Sequence, residues 1–245
     1  MKLQLSTLSI LTVIAVATPA FAAPVFDITF EKPAYSAGDA YDAKTDSGKL
    51  TGASPAHLTT FEIKAGAPEN EWTATVAKAS PSSANHWLRF DIPAGSSFSG
   101  RVQGWAPDRI VGDEKGTWVL QFDYTPLIGE GGFLGGWTLV SRDGSQLSTH
   151  SNNHPLFLNG FGGGEPFIVG ETYRLKVEVD LNSTLPIAFR AYVNGTQIFA
   201  GPAINNTNGV GGFAFHISGQ INQTFTEAKS FALDNIKFGP LGSFQ

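Results

Sequence analysis

Cysteine is absent from the 245 residues, which excludes disulfides, thiol catalysis and thiolate metal sites. A chain of this length can bury enough apolar surface to fold without cross-links. Long apolar runs are also missing beyond the N-terminal segment, and there residues 8–17 fall short of the roughly 20 residues needed to span a bilayer. Lys2 precedes that run and Pro19-Ala20-Phe21-Ala22 follows it, the order of a cleaved secretory leader. Residues 1–23 are therefore expected to be a signal peptide and residues 24–245 a single domain. The expected location is secreted, periplasmic or extracellular, with no membrane insertion. Positive charge is scarce. The chain has 16 Lys and Arg against 21 Asp and Glu, a net charge of −5; loss of Lys2 leaves 15 against 21, or −6. That balance argues against nucleic acid or an anionic membrane surface as partner and suits a neutral ligand or a cation.

A helical period is missing too. Apolar residues after the leader alternate instead, with turn residues between the runs, and the 28 glycines and 14 prolines suit a chain with many turns. Strands are expected over residues 25–30, 57–63, 72–77, 87–92, 118–124, 137–141, 155–158, 213–217 and 231–238. The clearest pattern lies in residues 171–201. Tyr173, Leu175, Val177, Val179 and Leu181 fall on one face, and Arg174, Lys176, Glu178 and Asp180 on the other. Ile187, Phe189, Ala191 and Val193 repeat the pattern before Asn194-Gly195. Both central residues of a type I′ turn need positive φ, which Asn and Gly tolerate best, so a hairpin is expected there. In the closing run Phe231 and Leu233 share one phase and Ile236 and Phe238 the other. A β-bulge at Asp234-Asn235 would account for the slip. Residues 34–54 read as a long loop and residues 129–136, GEGGFLGG, as a wide hairpin connection or a lip over a binding face. About a dozen strands imply an all-β fold, a two-sheet antiparallel β-sandwich. The four sequons at Asn182, Asn194, Asn205 and Asn222 are read as turn residues.

The segments GETYRLKVEVDL, AYVNGTQIFAG and SFALDNIKFG, with the opening VFDITFEKPAYSAGDA, resemble the concanavalin A-like lectin/glucanase jelly roll of the laminin G-like kind. Residues 34–165 share only its strand rhythm. The resemblance implies a fold that hosts lectins, adhesive modules, glycanases and polysaccharide lyases, so function has to come from the site. A glucanase of this fold carries E-x-D-x-x-E on one strand. Here Glu178 and Asp180 stand at the first two positions and Ser183 at the third, on what reads as an ordinary solvent face, so the retaining carboxylate set is incomplete. A lyase of this fold would want Arg, His, Gln and Tyr together; His216 and Tyr192 are on expected strands. Jelly rolls of exported proteins often join first and last strands through a hard cation. Glu31 after the first strand and Asp234 in the last are the candidate calcium ligands, with Asp27 or Asn235 as helpers.

His150 and His154 are four apart, but Pro155 and the Asn pair between them indicate a loop rather than a helical metal site. Asn152 and Asn153 in that loop could meet sugar hydroxyls. Sugar rings stack on tryptophan and tyrosine. Trp118 is in register with Leu120 and Phe122 and reads as core. Trp87 shares a face with Arg89 and Asp91 and reads as a sugar platform. Trp105, in QGWAPDR, reads as a loop residue and as a second candidate platform, and Trp137 either lines a groove or packs. The expected function is non-catalytic glycan binding or adhesion on the concave sheet, through Trp87, Arg89, Trp105, Asn152 and Asn153. A polysaccharide lyase or hydrolase, or a purely structural envelope module, are the alternatives. The expected partner is a polysaccharide or other glycan.

Overall fold

The structure, a computed structural model, describes residues 25–50, 60–65, 71–96, 99–105, 116–129, 136–141, 167–181, 188–201, 209–218 and 226–244. These residues hold β1 (Phe26–Ile28), β2 (Ala40–Asp42), β3 (Thr60–Ala65), β4 (Thr73–Lys78), β5 (His86–Ile92), β6 (Ser99–Trp105) and β7 (Thr117–Ile128). β8 (Gly136–Ser141), β9 (Tyr173–Asp180), β10 (Phe189–Val193), β11 (Thr196–Gly201), β12 (Val210–Ser218) and β13 (Lys229–Pro240) follow, and a short 3-10 turn covers Leu241–Phe244. The larger sheet runs β11-β10-β9-β7-β13-β5-β4-β2, with β1 alongside the far end of β13; the smaller runs β3-β6-β12-β8. Every pairing is antiparallel. The expected all-β sandwich is what the chain forms.

Alternation explains the layering. On β5, Leu88, Phe90 and Ile92 are buried while the residues between them are partly exposed. On β7, Trp118, Leu120, Phe122 and Tyr124 are fully enclosed, as expected of Trp118. The inner faces of the two sheets meet through aromatic rings. Phe26 lies 5.2 Å from Phe213, Phe122 lies 4.5 Å from Phe215 and Phe238 lies 5.8 Å from Phe213, the first two edge-to-face as ring quadrupoles prefer. Burying one such side chain stabilises the fold by about 1.5–3 kcal/mol, so these rings are the main cement between the sheets.

Both local signals of the sequence are realised. Asn194 (φ 48°) and Gly195 (φ 80°) form the turn between β10 and β11, and the Arg174 N–H donates to Asn194 Oδ1 at 2.8 Å, fastening the turn to β9. In β13, Asp234 faces Asp123 but Lys237 faces Gln121, an extra residue on the β13 side. Asn235 absorbs it with φ 49°. Phe231, Leu233, Ile236 and Phe238 are consequently all core residues despite the phase slip.

Two elements correct the sequence reading. β2 lies inside the expected loop at 34–54, held by pairing with β4. β6 lies where no strand is expected, and Trp105 is its last residue rather than part of a loop. The alternation of β6 is hidden because two of its inward positions, Gly100 and Gly104, have no side chain. At Gly104 a Cβ would collide with the Phe213 ring and come within 2.8 Å of Phe26, so the glycine makes room for the aromatic cement. The leader at 1–23, the expected strand at 155–158 and most of the glycine-rich segment lie outside the described residues.

Candidate functional site

Because Leu88, Phe90 and Ile92 face the core, Trp87, Arg89 and Asp91 project from the outer face of the larger sheet. A pocket of about 520 Å³ opens there, lined among others by Lys78 at the end of β4, Ser80 and Pro81 from the β4–β5 connection, Trp87 and Arg89 from β5, and Ile128 from the end of β7. β13 separates β5 from β7 here with small residues: Arg89 faces Ala232, which faces Thr125, and Asp91 faces Ser230, which faces Ile128. Ile128 is 49% exposed and leaves an apolar wall open to solvent. Arg89 donates from Nε and Nη2 to Asp91 Oδ1 at 3.0 and 2.7 Å, so its guanidinium is held flat along the strand. The Trp87 Nε1 is enclosed and has no hydrogen-bond acceptor among the described residues. The site therefore offers one tryptophan, one open aliphatic wall and two cationic side chains.

The outer face of the smaller sheet is the second candidate. Ile63, Val102 and Phe215 point inward and are fully buried, so Glu62, Gln103 and Trp105 face outward. Gln103 Nε2 donates to Glu62 Oε2 at 2.7 Å with Gln103 only 4% exposed. Two register positions further along, Lys64, Arg101 and His216 are paired across β3, β6 and β12. Trp87 and Trp105 thus belong to opposite outer faces of the sandwich, and the structure does not bring them into one site. Neither partner was legible as such in the sequence, because the separation follows from strand order between sheets. His216 and Tyr192, the two lyase candidates, are separated in the same way, one in each sheet.

The strand carrying Glu178 is less ordinary than its alternation suggests. Glu178 is 9% exposed and its two oxygens accept from Lys176 Nζ at 2.7 Å and from the Tyr192 hydroxyl at 2.9 Å. Lys176 also sits 4.2 Å above the Tyr192 ring. Burial, then this hydrogen bond and the Glu178 charge, push the Tyr192 hydroxyl up to about 12. The expected open solvent face is corrected to a closed Lys–Glu–Tyr cluster, whose register (Tyr192 opposite Lys176, Arg190 opposite Glu178) is set by the hairpin.

First and last strands are neighbours: Ile28 faces Ile236 and Phe26 faces Phe238. Glu31 accepts from the His86 N–H at 2.6 Å and lies 2.8 Å from His86 Nδ1. Burial works against its ionisation, but these bonds outweigh it and hold the carboxyl below its ordinary value. Asp234 accepts from Asn85 Nδ2 at 2.9 Å and from the Asn235 N–H at 2.7 Å. Burial pushes its carboxyl up to about 6 against those bonds, with help from the charges of Asp123 and Glu31. Asp27 is turned to Lys237, 3.5 Å away, and Asn235 donates to Asp123 at 2.8 Å. The donors are hard oxygens, as calcium requires, but a cation would have to displace Asn85 or His86 to reach them. Among the described residues no group of three or more His, Cys, Asp and Glu side chains is placed to hold a metal. His150, Asn152, Asn153 and His154 lie outside the described residues.

No protein-family model and no curated protein matches the chain. Solved structures do. A double mutant of an alginate lyase in complex with alginate tetrasaccharide is 13% identical, with a TM-score of 0.53 over 90% of this chain and 98% of that one. A second alginate lyase double mutant, in complex with alginate trisaccharide, is 14% identical, with a TM-score of 0.50 over 91% of this chain and all of that one. A sialidase is 12% identical with a TM-score of 0.48; the match covers 84% of this chain and 19% of that one, so the chain spans about a fifth of the sialidase's length. Likeness at this identity establishes the fold, a jelly-roll β-sandwich. Among the described residues no helix is long and apolar enough to cross a membrane.

Proposed function

We propose that the chain is an exported, non-catalytic carbohydrate-binding domain that holds a polysaccharide at the Trp87 pocket. The observation that supports this reading is a part-exposed tryptophan at the edge of an open pocket, with Pro81 and Ile128 as further apolar surface and Lys78, Ser80 and Arg89 as polar groups. Apolar surface with a few convergent polar groups is what a sugar ring needs, since its C–H faces stack while its hydroxyls seek donors and acceptors. Binding to a polysaccharide panel by affinity electrophoresis, with Trp87→Ala beside the parent chain, tests it. The parent is expected to be retarded by at least one polymer and Trp87→Ala to run free while melting normally. Equal retardation of both, or of neither by any polymer, rules the reading out.

A second reading, a polysaccharide lyase, is supported by the register alone, which sets Lys64, Arg101 and His216 at paired positions on three neighbouring strands of the smaller sheet. Cations that neutralise a uronate carboxylate, next to a base that removes the adjacent proton, are the groups such an elimination uses. New unsaturated ends in polymer digests, lost in His216→Ala but kept in Trp87→Ala, would favour this reading over simple binding.

The pairing of β1 with β13 also supports a structural calcium ion between Glu31 and Asp234. Bound there, the ion would neutralise carboxylates that repel one another and tie the first strand to the last.

A further inference from the structure

We infer that the Trp87 pocket takes a neutral sugar, and that the Arg89–Asp91 pair reads two adjacent hydroxyls of it. The inference rests on the binding reading above and narrows its ligand. Trp87, Arg89 and Asp91 are successive outward positions of β5, about 6.5 Å apart along the strand. Arg89 Nε and Nη2 both donate to Asp91 Oδ1, at 3.0 and 2.7 Å. That geometry engages one edge of the guanidinium and one oxygen of the carboxylate. The other edge of Arg89, and Asp91 Oδ2, make no hydrogen bond among the described residues. Free donors and a free acceptor therefore lie side by side next to a tryptophan. Two adjacent hydroxyls are their complement, since each hydroxyl both donates and accepts. An anionic group is not: the arginine charge is balanced, and the free carboxylate oxygen would repel it. Lys78 borders the pocket from the end of β4 but belongs to the opposite phase, pairing with His86 beyond the buried Val76 and Leu88.

The pair is also left open. Its cross-strand neighbours are small on both sides: Thr75 and Ala232 flank Arg89, and Thr73 and Ser230 flank Asp91. The two side chains are 38% and 41% exposed. Ion pairs farther along the same sheet differ. Asp123 accepts from Arg174 and Asn235 through its two oxygens, and Glu178 accepts from Lys176 and Tyr192 through its two. Those carboxylates are only 11% and 12% exposed. They are used up within the sheet, whereas the Arg89–Asp91 pair keeps an oxygen and a guanidinium edge for a ligand. β5 is an inner strand, paired with β4 and β13, so the pair stands on a rigid element and loses little freedom on binding. Trp87, Pro81 and Ile128 supply the apolar surface on which the C–H face of the same sugar would rest.

The test uses the full chain and two matched comparisons. Cello-oligosaccharides keep two adjacent hydroxyls free on every inner ring, and laminari-oligosaccharides keep none adjacent there. Polygalacturonate and its fully methyl-esterified form share their free hydroxyls and differ in charge. Affinities are measured by isothermal titration at low and high salt for the parent, Arg89→Gln, Asp91→Asn and Trp87→Ala, with melting curves to establish that each variant folds. The parent is expected to bind cello-oligosaccharides or the methyl ester, laminari-oligosaccharides about tenfold more weakly, and polygalacturonate no tighter than its ester. Arg89→Gln and Asp91→Asn should each weaken the neutral ligand about tenfold, the loss of one hydrogen bond to a charged group. Asp91→Asn also leaves the arginine unbalanced. It should create a preference for polygalacturonate over its ester of about two- to fivefold at low salt, abolished at high salt. A purely structural role for Asp91 would create no such preference. Neutral binding that survives both substitutions, equal affinity for the cello- and laminari-oligosaccharides, or a parent that prefers the acid overturns the inference but leaves carbohydrate binding intact. Trp87→Ala reports on the other question: unchanged affinity there removes the pocket as the binding site and the inference with it. Failure of all four ligands to bind the parent also overturns it.

Discussion

Asn235 offers the sharpest test of how the closing strand is built. It is the extra residue of β13, with φ 49°, and its side chain donates to Asp123 Oδ2 at 2.8 Å. Alanine at this position would lose the hydrogen bond and keep a Cβ in the left-handed region. The backbone component costs about 1–2 kcal/mol for a residue with a Cβ. A hydrogen bond to a charged acceptor is worth about 1.5–3 kcal/mol, and partial exposure of Asn235 puts it at the low end of that range. Asparagine already bears a Cβ at this φ, so the backbone component separates glycine from both residues, and Asn235→Ala should destabilise the fold by about 1.5–2 kcal/mol through the lost hydrogen bond, a noticeable share of the roughly 5–15 kcal/mol typical of a domain. Glycine loses the same hydrogen bond without the backbone strain and should cost about 1–2 kcal/mol less than alanine. Valine, β-branched at positive φ, should be worse than alanine. Urea unfolding followed by tryptophan fluorescence would give the order Asn, Gly, Ala, Val from most to least stable, with similar m-values. A glycine variant no more stable than the alanine variant would show that the left-handed backbone contributes nothing, and the bulge would lose its physical basis. A double-mutant cycle with Asp123→Ala isolates the side-chain part, since Asp123 also accepts from Arg174 Nε at 2.9 Å.

Gly104→Ala should destabilise by about 1–3 kcal/mol, read as a lower melting temperature, because the new Cβ meets the Phe213 and Phe26 rings between the sheets. Alkaline titration should show a loss of stability that begins above the ordinary tyrosine value of 10.0: burial, hydrogen bonding and the Glu178 charge raise Tyr192 to about 12, and burial also raises Tyr35 and Tyr124. A raised folded-state value gives stability that is complete below pH 10 and lost as the pH climbs through 12, so Tyr192→Phe should narrow the loss. Paired melting curves in calcium and in chelator test the proposed ion; calcium at a hundredfold excess over Kd would add about 2.7 kcal/mol, and coincident curves would remove the ion from the account.

The hairpin and the bulge were readable from the chain because each is a local event. Asn194-Gly195 and the phase slip at Asp234-Asn235 state their backbone requirements within a few residues. β6 was unreadable for an equally physical reason: two of its inward positions are glycines, Gly100 and Gly104, the second empty so that Phe213 and Phe26 can fill the space, and an absent side chain leaves no alternation to detect. The site divides in the same way. Trp87 with Arg89 on one face of β5 follows from period two, and the structure keeps them together. Their neighbours Lys78 and Ile128 come from β4 and β7, and only the order β7-β13-β5-β4 brings them to one pocket. That Trp105 faces away from Trp87, and that Tyr192 closes over Glu178, depend on sheet membership and register, neither of which is local.

β13 follows all other described strands in the chain and yet sits at the centre of the larger sheet, paired with β7 on one side and with β5 and β1 on the other. Until residues 229–240 are available, β5 and β7 are open edges and the inner face of the sheet has a gap where Phe231, Leu233, Ile236 and Phe238 belong. Folding must therefore wait for contacts of long sequence separation, such as Phe26 with Phe238, which makes it slow relative to a helical protein of the same size. A chain that cannot close its main sheet early stays unfolded longer, which is the condition a polypeptide needs if it is to be threaded through a membrane before it folds.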